Sequence, residues 1–304
     1  MPVGELSLPE LRARLQGPGL GVKTGPFAFS IRNPGGALAR PLGDLYADFP
    51  VAPEDGFSDF HVRVRQSGGL RRLLRPQCLF DLDGEVPFRP LPGRQAFALL
   101  EWGMNWCIHA HAHQFLVLHG AVLERAGGGL LLPAPPGSGK STLCAALMCR
   151  GWRLLSDELV LIDPQTGDLH GMARPISLKN RSIDLLRSRT PEAFITAPVH
   201  DTAKGAVAHM RPSTASVQRV LEPVPPRWVV FPRYRPGAGL EVTALRRLEV
   251  FRGLLENAFN YSLLGAMGFR VMADLVERVV GCGVRYGDLD AVIAHIEAMA
   301  AGEG

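Results

Sequence analysis

Residues 130–163 read LLLPAPPGSGKSTLCAALMCRGWRLLSDELVLID, and this stretch decides the predicted fold. An apolar run (129–133) stops at a turn rich in proline and glycine, an apolar helical pattern (142–150) follows, and a second apolar run ends the stretch. Residues 134–141 match the phosphate-binding loop pattern G-x-x-x-x-G-K-[ST] except at the first position, which is Ala134. The pattern predicts a loop that holds nucleotide phosphates between a strand and a helix.

Each residue type in this loop has a physical task. Gly137 and Gly139 allow the positive φ angles that turn successive N–H groups toward a phosphate. Lys140 adds a full charge at the β- and γ-phosphates, and the Ser141 hydroxyl is placed to ligate Mg²⁺. The helix that begins near Lys140 directs the positive end of its dipole at the same site. The predicted nucleotide-binding residues are Pro136, Gly137, Ser138, Gly139, Lys140, Ser141 and Thr142.

A pair of carboxylates follows the loop. Asp157 and Glu158 end a short apolar run, and strand ends converge on the ligand crevice of an open sheet. One carboxylate there can hold Mg²⁺ and another can accept a proton from an attacking hydroxyl. Asp163 is a rival metal ligand, but the sequence DPQTG that it begins is typical of a turn.

The regions on both sides differ in pattern. FAFSIRN, FHVRVRQ and CLFDLDG alternate with period two, which predicts a β-rich N-terminal domain over residues 1–92. Ser7 and Glu10 predict a capped helix at the start of this domain. Residues 93–304 start with a long helical pattern and then alternate strands and helices, which predicts an α/β catalytic domain. The polar stretch 195–217 is predicted to be a long loop, either a substrate loop or a plain surface excursion.

Composition excludes several classes of protein. The formal net charge is +4, and the basic residues are scattered apart from a cluster at 63–75, so no nucleic-acid partner is predicted. No stretch is long and apolar enough for a membrane helix, and the N-terminus lacks a signal-peptide pattern. The five cysteines show no paired spacing, which indicates reduced thiols and a cytoplasmic location. The repeat HAHAH (109–113) suggests a metal site, but the helical pattern there would spread its histidines apart.

The stretch LHGAVLERAGGGLLLPAPPGSGKST, with GWRLLSDE after it, resembles the core of the HPr kinase/phosphorylase family. The matching positions are His119-Gly120, the loop 134–141, Gly151 with Arg153-Leu154, and the acid pair 157–158. This similarity covers about a sixth of the chain. Other stretches, including EWGMNW and NAFNYSLLG, resemble the descriptive subgroup HprK-related kinase A.

The resemblance implies a P-loop kinase core of the HPr kinase/phosphoenolpyruvate carboxykinase type, with a mixed sheet flanked by helices. It implies that Asp157 is the catalytic base, that His119 assists it, and that Lys140 and Ser141 hold ATP and Mg²⁺, with Glu158 as a second metal ligand. The family's Glu-x-Arg-Gly signature is absent. Arg174 and Lys179 stand in the corresponding region as candidate phosphate or substrate contacts, and no reverse phosphorylase activity is expected.

Three functions remain open from the sequence. The first is an ATP-dependent kinase that phosphorylates a Ser or Thr hydroxyl of a protein or peptide. The second is a small-molecule kinase with the same site, which a closed, deep pocket beside Asp157 would favour. The third is a nucleotide-binding regulatory protein with little turnover. The resemblance suggests a homo-oligomer, although no heptad pattern supports one.

Overall fold

The computed structural model describes residues 1–53, 56–68 and 75–302 of the 304-residue chain. The basic cluster predicted at 63–75 therefore lies partly outside the described residues. The described chain is a mixed α/β protein with three sheets. Its helices are α1 (Leu8–Gln16), α2 (Ala39–Leu45), α3 (Ala96–His111), α4 (Lys140–Cys149), α5 (Arg181–Arg189), α6 (Thr214–Gln218), α7 (Arg247–Leu255), α8 (Tyr261–Leu264), α9 (Ala266–Arg278) and α10 (Leu289–Ala301).

The first sheet forms the N-terminal part of the described chain. Its strands lie in the order β1-β2-β3-β4-β5, with β2 and β3 parallel and the other pairs antiparallel. The alternation in the sequence predicted three of these strands. The strands are β1 (Leu20–Thr24), β2 (Phe27–Arg32), β3 (Phe60–Gln66), β4 (Gln77–Leu82) and β5 (Leu91–Pro92).

Two predicted helices of this region are confirmed. Ser7 caps α1 in a capping box, because its side chain accepts from the Glu10 backbone and the Glu10 carboxylate accepts from the Ser7 backbone. The long helix predicted after residue 93 is α3, whose buried face packs against β3 and β4. This helix leads from the first sheet into the second.

A close contact between α3 and β4 gives a first testable prediction. A Cβ atom at Gly103 would overlap the ring of Phe80, which is fully buried. Gly103→Ala is therefore expected to lower the free energy of unfolding by about 1–3 kcal/mol through overpacking, although alanine is the better helix former. Urea unfolding measures this change. Gly103→Ala combined with Phe80→Leu should recover part of the loss relative to Phe80→Leu alone, and an unchanged midpoint for Gly103→Ala would contradict the prediction.

The second sheet is mixed and lies in the order β10-β9-β6-β7-β14-β16-β15, with β8 paired to β6. β14 runs parallel to β7 and β16, and the other pairs are antiparallel. The strand that precedes the predicted loop, β7, is thus central. The strands are β6 (Leu116–Arg125), β7 (Gly128–Pro133), β8 (Arg153–Ser156), β9 (Leu159–Ile162), β10 (Leu169–His170), β14 (Pro226–Tyr234), β15 (Glu241–Ala244) and β16 (Val280–Tyr286).

The third sheet corrects the prediction for residues 195–217. This stretch contains the hairpin β12 (Val199–Thr202) and β13 (Gly205–Met210), followed by the short helix α6. β13 pairs antiparallel with β11 (Ile176–Lys179), so most of its backbone groups are hydrogen-bonded. The stretch is therefore an ordered part of the sheet layer and not a long loop.

The hydrophobic cores connect these layers. One cluster joins the first sheet to α3 and also contains Leu159, Leu161 and Met172 from the second half. A second surrounds α4, with Leu143 and Leu147 among its buried members. The division of the chain into domains at residue 92 stays a prediction. All five cysteines are free, and four of them are buried. Among the described residues, no helix is both long and apolar enough to cross a membrane.

Candidate active site

The predicted phosphate loop connects β7 to α4. Gly137 and Gly139 have φ angles of 86° and 91°, so the predicted positive φ of both glycines is confirmed. A side chain at Gly139 would also meet the hydroxyl of Tyr286 at 2.6 Å. The loop is anchored from β14, because the Tyr234 N–H donates to the Ser138 carbonyl over 2.9 Å. This hydrogen bond ties the loop to the end of β14.

His119 and Lys140 lie side by side at the start of α4. His119 is on β6, and its Nε2 lies 3.2 Å from Nζ of Lys140. An ammonium group can only donate, so Nε2 must accept and the neutral ring carries its proton on Nδ1. Burial, and next the charge of Lys140, lower the pKa of His119 to about 4. His119 is therefore neutral at pH 7.

Glu158 lies between two lysines. Its carboxylate is 3.9 Å from Nζ of Lys140 and 3.7 Å from Nζ of Lys179. Burial acts to raise the pKa of Glu158, but the charges of Lys140 and Lys179 outweigh burial and lower it. Glu158 is therefore an ionised group that balances two cations, and Lys179 lies at the site as the sequence suggested.

Asp157 is the more deeply buried carboxyl group of the pair. Its Oδ2 accepts from the Ser177 N–H over 3.3 Å, and its Oδ1 has no hydrogen-bond partner among the described residues. Burial and the charge of Glu158 raise its pKa to about 6, although a hydrogen bond with Ser141 acts to lower it. A carboxylate with a pKa near neutrality suits a general base.

His119 lies closer to the second acid of the pair than to the first. The imidazole Nδ1 of His119 lies 3.7 Å from the carboxylate of Glu158, and in the described chain no hydrogen bond or ion pair joins His119 to Asp157. The Gly120 N–H donates to the Glu158 carbonyl over 3.2 Å, which holds Glu158 beside β6. Ser141 acts on Asp157, because it lowers the pKa of that carboxyl group. The catalytic and metal roles of these residues stay predictions.

Arg174 belongs to a buried polar group beneath the site. Its guanidinium lies 3.5 Å from the Glu101 carboxylate and hydrogen-bonds the Asn105 side chain. The Tyr46 hydroxyl donates to Glu101 over 2.5 Å. Burial raises the pKa of Glu101, although Arg174 acts to lower it. Arg174 therefore has partners within the protein, and its prediction as a phosphate contact stays untested.

Three further residues lie at the site that the sequence did not predict there. Two small cavities adjoin Glu158, and Trp102 and Asn105 of α3 line both of them. Lys204, in the turn between β12 and β13, lies 5.0 Å from the centre of the Trp102 ring. The sequence offered one signal for Lys204, because the chain has only four lysines. In the structure, three of them, including Lys204, act on the pKa of Glu158.

Buried His209 gives a prediction on pH and stability. Burial and the charge of Lys179 lower its pKa to about 3, and its Nε2 has no partner among the described residues. In the unfolded chain His209 binds a proton with a pKa near 6.5, whereas in the folded chain it stays neutral at this pH. The free energy of unfolding therefore falls as the pH drops below 6.5. Between pH 7 and pH 5, wild type should lose about 2 kcal/mol more than His209→Gln does. Urea unfolding at both pH values measures this; equal losses would contradict it.

A larger cavity of about 510 Å³ also adjoins the loop. Gly139 and Thr142 form its inner edge, and Tyr234 and Tyr286 form one wall with ring centroids 5.7 Å apart. Arg181 and Arg189 of α5 also line it. The site thus has a roomy cavity at one end of the loop and two narrow ones beside Asp157 and Glu158.

Comparison with known proteins gives two similarities. The family model described as SynChlorMet cassette protein ScmC matches residues 97–176, about a quarter of the chain. The HPr(Ser) kinase/phosphatase from Coxiella burnetii is a structural match at 12% sequence identity, covering 62% of this chain and 94% of that chain, with a TM-score of 0.24. A TM-score of this size does not establish a shared fold. No curated protein matches the sequence.

Proposed function

We propose that this protein is an ATP-dependent phosphotransferase with a P-loop core of the HPr kinase type, which transfers the γ-phosphoryl group to a Ser or Thr hydroxyl of a protein or peptide. One observation carries the proposal. The predicted phosphate loop, with its two positive-φ glycines, leads into helix α4, which begins at Lys140. The Nζ atom of Lys140 lies 3.9 Å from the carboxylate of Glu158, which follows Asp157 in the sequence. Loop, cation and candidate base therefore share one site.

The 510 Å³ cavity supports a nucleotide as the donor. It opens beside Thr142, the loop residue that follows Ser141. The β- and γ-phosphates would lie at Lys140, so the base and ribose would extend past Thr142 toward Tyr234 and Tyr286. Aromatic and apolar walls of this kind suit a flat base.

The residues present fit a magnesium ion. Mg²⁺ prefers oxygen ligands and usually keeps water and substrate phosphates among them, so one or two protein ligands suffice. Asp157 has an unpartnered buried oxygen and lies against Ser141. Ser141 would hold the ion together with a carboxylate of the acid pair. When bound, Mg²⁺ would neutralise charge on the β- and γ-phosphates.

The remaining chemistry belongs to protein groups. The acceptor oxygen forms a bond to the γ-phosphorus while the bond from that phosphorus to the β,γ-bridging oxygen breaks, and ADP leaves. Asp157 takes the hydroxyl proton. Lys140 and Lys179 stabilise charge on the transferring group, and neutral His119 keeps Lys140 and Glu158 in place.

A small-molecule kinase is a second candidate, favoured by the size of the cavities beside the acid pair. Their volumes are about 20 and 130 Å³, well below that of an ordinary ligand pocket. A single side chain or a small metabolite fits this space, whereas a folded surface does not enter it.

The test is a transfer assay with γ-labelled ATP, Mg²⁺, the purified protein and an extract of its own cell. A labelled peptide or protein band that disappears with Asp157→Asn would support the proposal. Label confined to small products would favour the second candidate. ATP binding without any transfer that depends on Asp157 would reject both and leave a nucleotide-binding regulatory protein.

A further inference from the structure

One face of α3 forms part of the walls of both narrow cavities. Trp102, Asn105, Trp106 and His109 have the spacing i, i+3, i+4 and i+7, which places their side chains on one stripe of a helix. All four line the 130 Å³ cavity together with His119 and Glu158. Helix α3 therefore faces the candidate catalytic residues directly.

The 20 Å³ cavity, called the inner cavity below, is lined by residues with unused hydrogen-bonding groups. Among the described residues, buried atoms without a partner include Asp157 Oδ1, Ser177 Oγ and Trp102 Nε1, and all three residues line this cavity. A site with several free polar partners and about 20 Å³ holds one oxygen atom, either a water or a hydroxyl group. That oxygen would lie against the proposed base.

The 130 Å³ cavity, called the outer cavity below, has aromatic walls and one cation. The rings of His109 and Phe259 stack at 4.6 Å, and Lys204 lies over Trp102 on another side. Lys140 and Lys179 both pair with Glu158, whereas in the described part of the chain Lys204 forms no ion pair. Because it has no such partner, the Lys204 ammonium group is available to an anion that enters the cavity. Lysine would supply this anion with a compact point charge.

We propose that the two cavities are one acceptor subsite, in which a slender primary hydroxyl reaches Asp157 in the inner cavity while an anionic group of the same acceptor pairs with Lys204 in the outer one. This inference rests on the proposed phosphotransferase function and adds the substrate class: a hydroxyl compound with a carboxylate or phosphate a few bonds away. A small hydroxy acid and a serine beside an acidic residue share this chemistry.

Lys204 is held in place by the residues before α3. The Asp201 carboxylate pairs with Arg94 over 2.8 Å, and the Asp201 carbonyl accepts from the side chain of Gln95 over 2.9 Å. The hairpin turn that carries Lys204 is thereby fixed relative to the helix that carries Trp102. Because Lys204 and Trp102 keep a fixed separation, the site would select acceptors by the distance between their anionic group and their hydroxyl group.

The test uses the fluorescence of Trp102 and Trp106, the two tryptophans that line the outer cavity. Matched probes are D-glycerate against glycerol, and blocked Gly-Asp-Ser-Gly against blocked Gly-Asn-Ser-Gly. Each is titrated into the full chain with and without Mg²⁺ and β,γ-imido-ATP. The glycerate pair reports a metabolite source of the anion, and the peptide pair reports a peptide source.

At least one anionic probe should bind about tenfold or more tightly than its neutral partner. Lys204→Met should remove this preference, whereas Lys23→Met, which replaces an exposed lysine on β1, should keep it. Equal binding of anionic and neutral probes, no binding of any probe, or a preference that survives Lys204→Met would overturn the inference.

The two proposals fail in different ways. Calorimetry with β,γ-imido-ATP measures the nucleotide site separately from the acceptor probes. A protein that binds the nucleotide analogue but shows no preference for anionic probes would lose the acceptor subsite and keep the nucleotide site. A protein that binds the anionic probes through Lys204 but transfers nothing from ATP would lose the kinase function and keep the subsite.

Discussion

Asp157→Asn is expected to reduce the rate of phosphoryl transfer by about 10²–10⁴ while ATP affinity stays within a few-fold of wild type. The amide keeps the shape of the side chain but cannot take a proton from the acceptor. The effect should appear mainly in kcat, because the proton moves only as the acceptor reacts. Initial rates with labelled ATP and calorimetric titration of the nucleotide measure the two quantities separately.

Asp163→Asn is the matched control for this variant. Asp163 was the rival carboxylate in the sequence, and its Oδ1 accepts from the Gln165 and Thr166 N–H groups over 2.7 and 3.3 Å. An asparagine oxygen can keep both hydrogen bonds of this turn. Transfer should therefore continue at nearly the wild-type rate. Equal losses in the two variants would reject Asp157 as the base.

Lys140→Met is expected to weaken ATP binding and to slow transfer together, with kcat/KM for ATP lower by about 10²–10³ or more. The substitution removes the charge nearest the predicted β- and γ-phosphates and leaves Glu158 with one lysine fewer. It also removes a cation that lowers the pKa of both His119 and Glu158, so both pKa values should rise. Calorimetry with ATP and initial rates over a range of ATP concentrations measure the two effects.

Lys23→Met again serves as the control, because Lys23 is exposed on β1. It removes the same charge from the chain without touching the loop. Normal ATP affinity in Lys140→Met would show that the loop does not hold a nucleotide. Reduced affinity with unchanged kcat would instead limit Lys140 to binding.

Local signals in the sequence predicted the loop and several helices. The positive φ angles of the glycines at 137 and 139 and the cap of α1 depend on residues close together in the chain, and the structure confirms them. Such features follow from backbone geometry and short-range hydrogen bonds. They are therefore visible without knowledge of the tertiary structure.

Features that depend on distant partners were missed. Strand β16 was not predicted, and it lies between β14 and β15 in the folded chain. The glycines at 281 and 283 lower the strand propensity of this segment. Pairing with the neighbouring strands nevertheless makes it a strand. The β12–β13 hairpin was likewise missed because its pairing with β11 supplies its order.

The candidate site shows the same division. The motif located Lys140 and the acid pair, but it could not show that Glu158 lies nearer to His119 than Asp157 does. Trp102 and Lys204 are about a hundred residues apart in the sequence and meet only in the folded chain. The proposed acceptor subsite could therefore not be predicted from local patterns.

The tie between Asp201 and the residues before α3 has a consequence for how this protein could diversify. The predicted phosphate loop of the site is encoded in one continuous segment around β7 and α4, whereas the proposed acceptor end is divided between α3 and the β12–β13 hairpin. Recombination that exchanges the loop segment between relatives would leave acceptor preference unchanged. A new acceptor preference would require both separated segments to be inherited together.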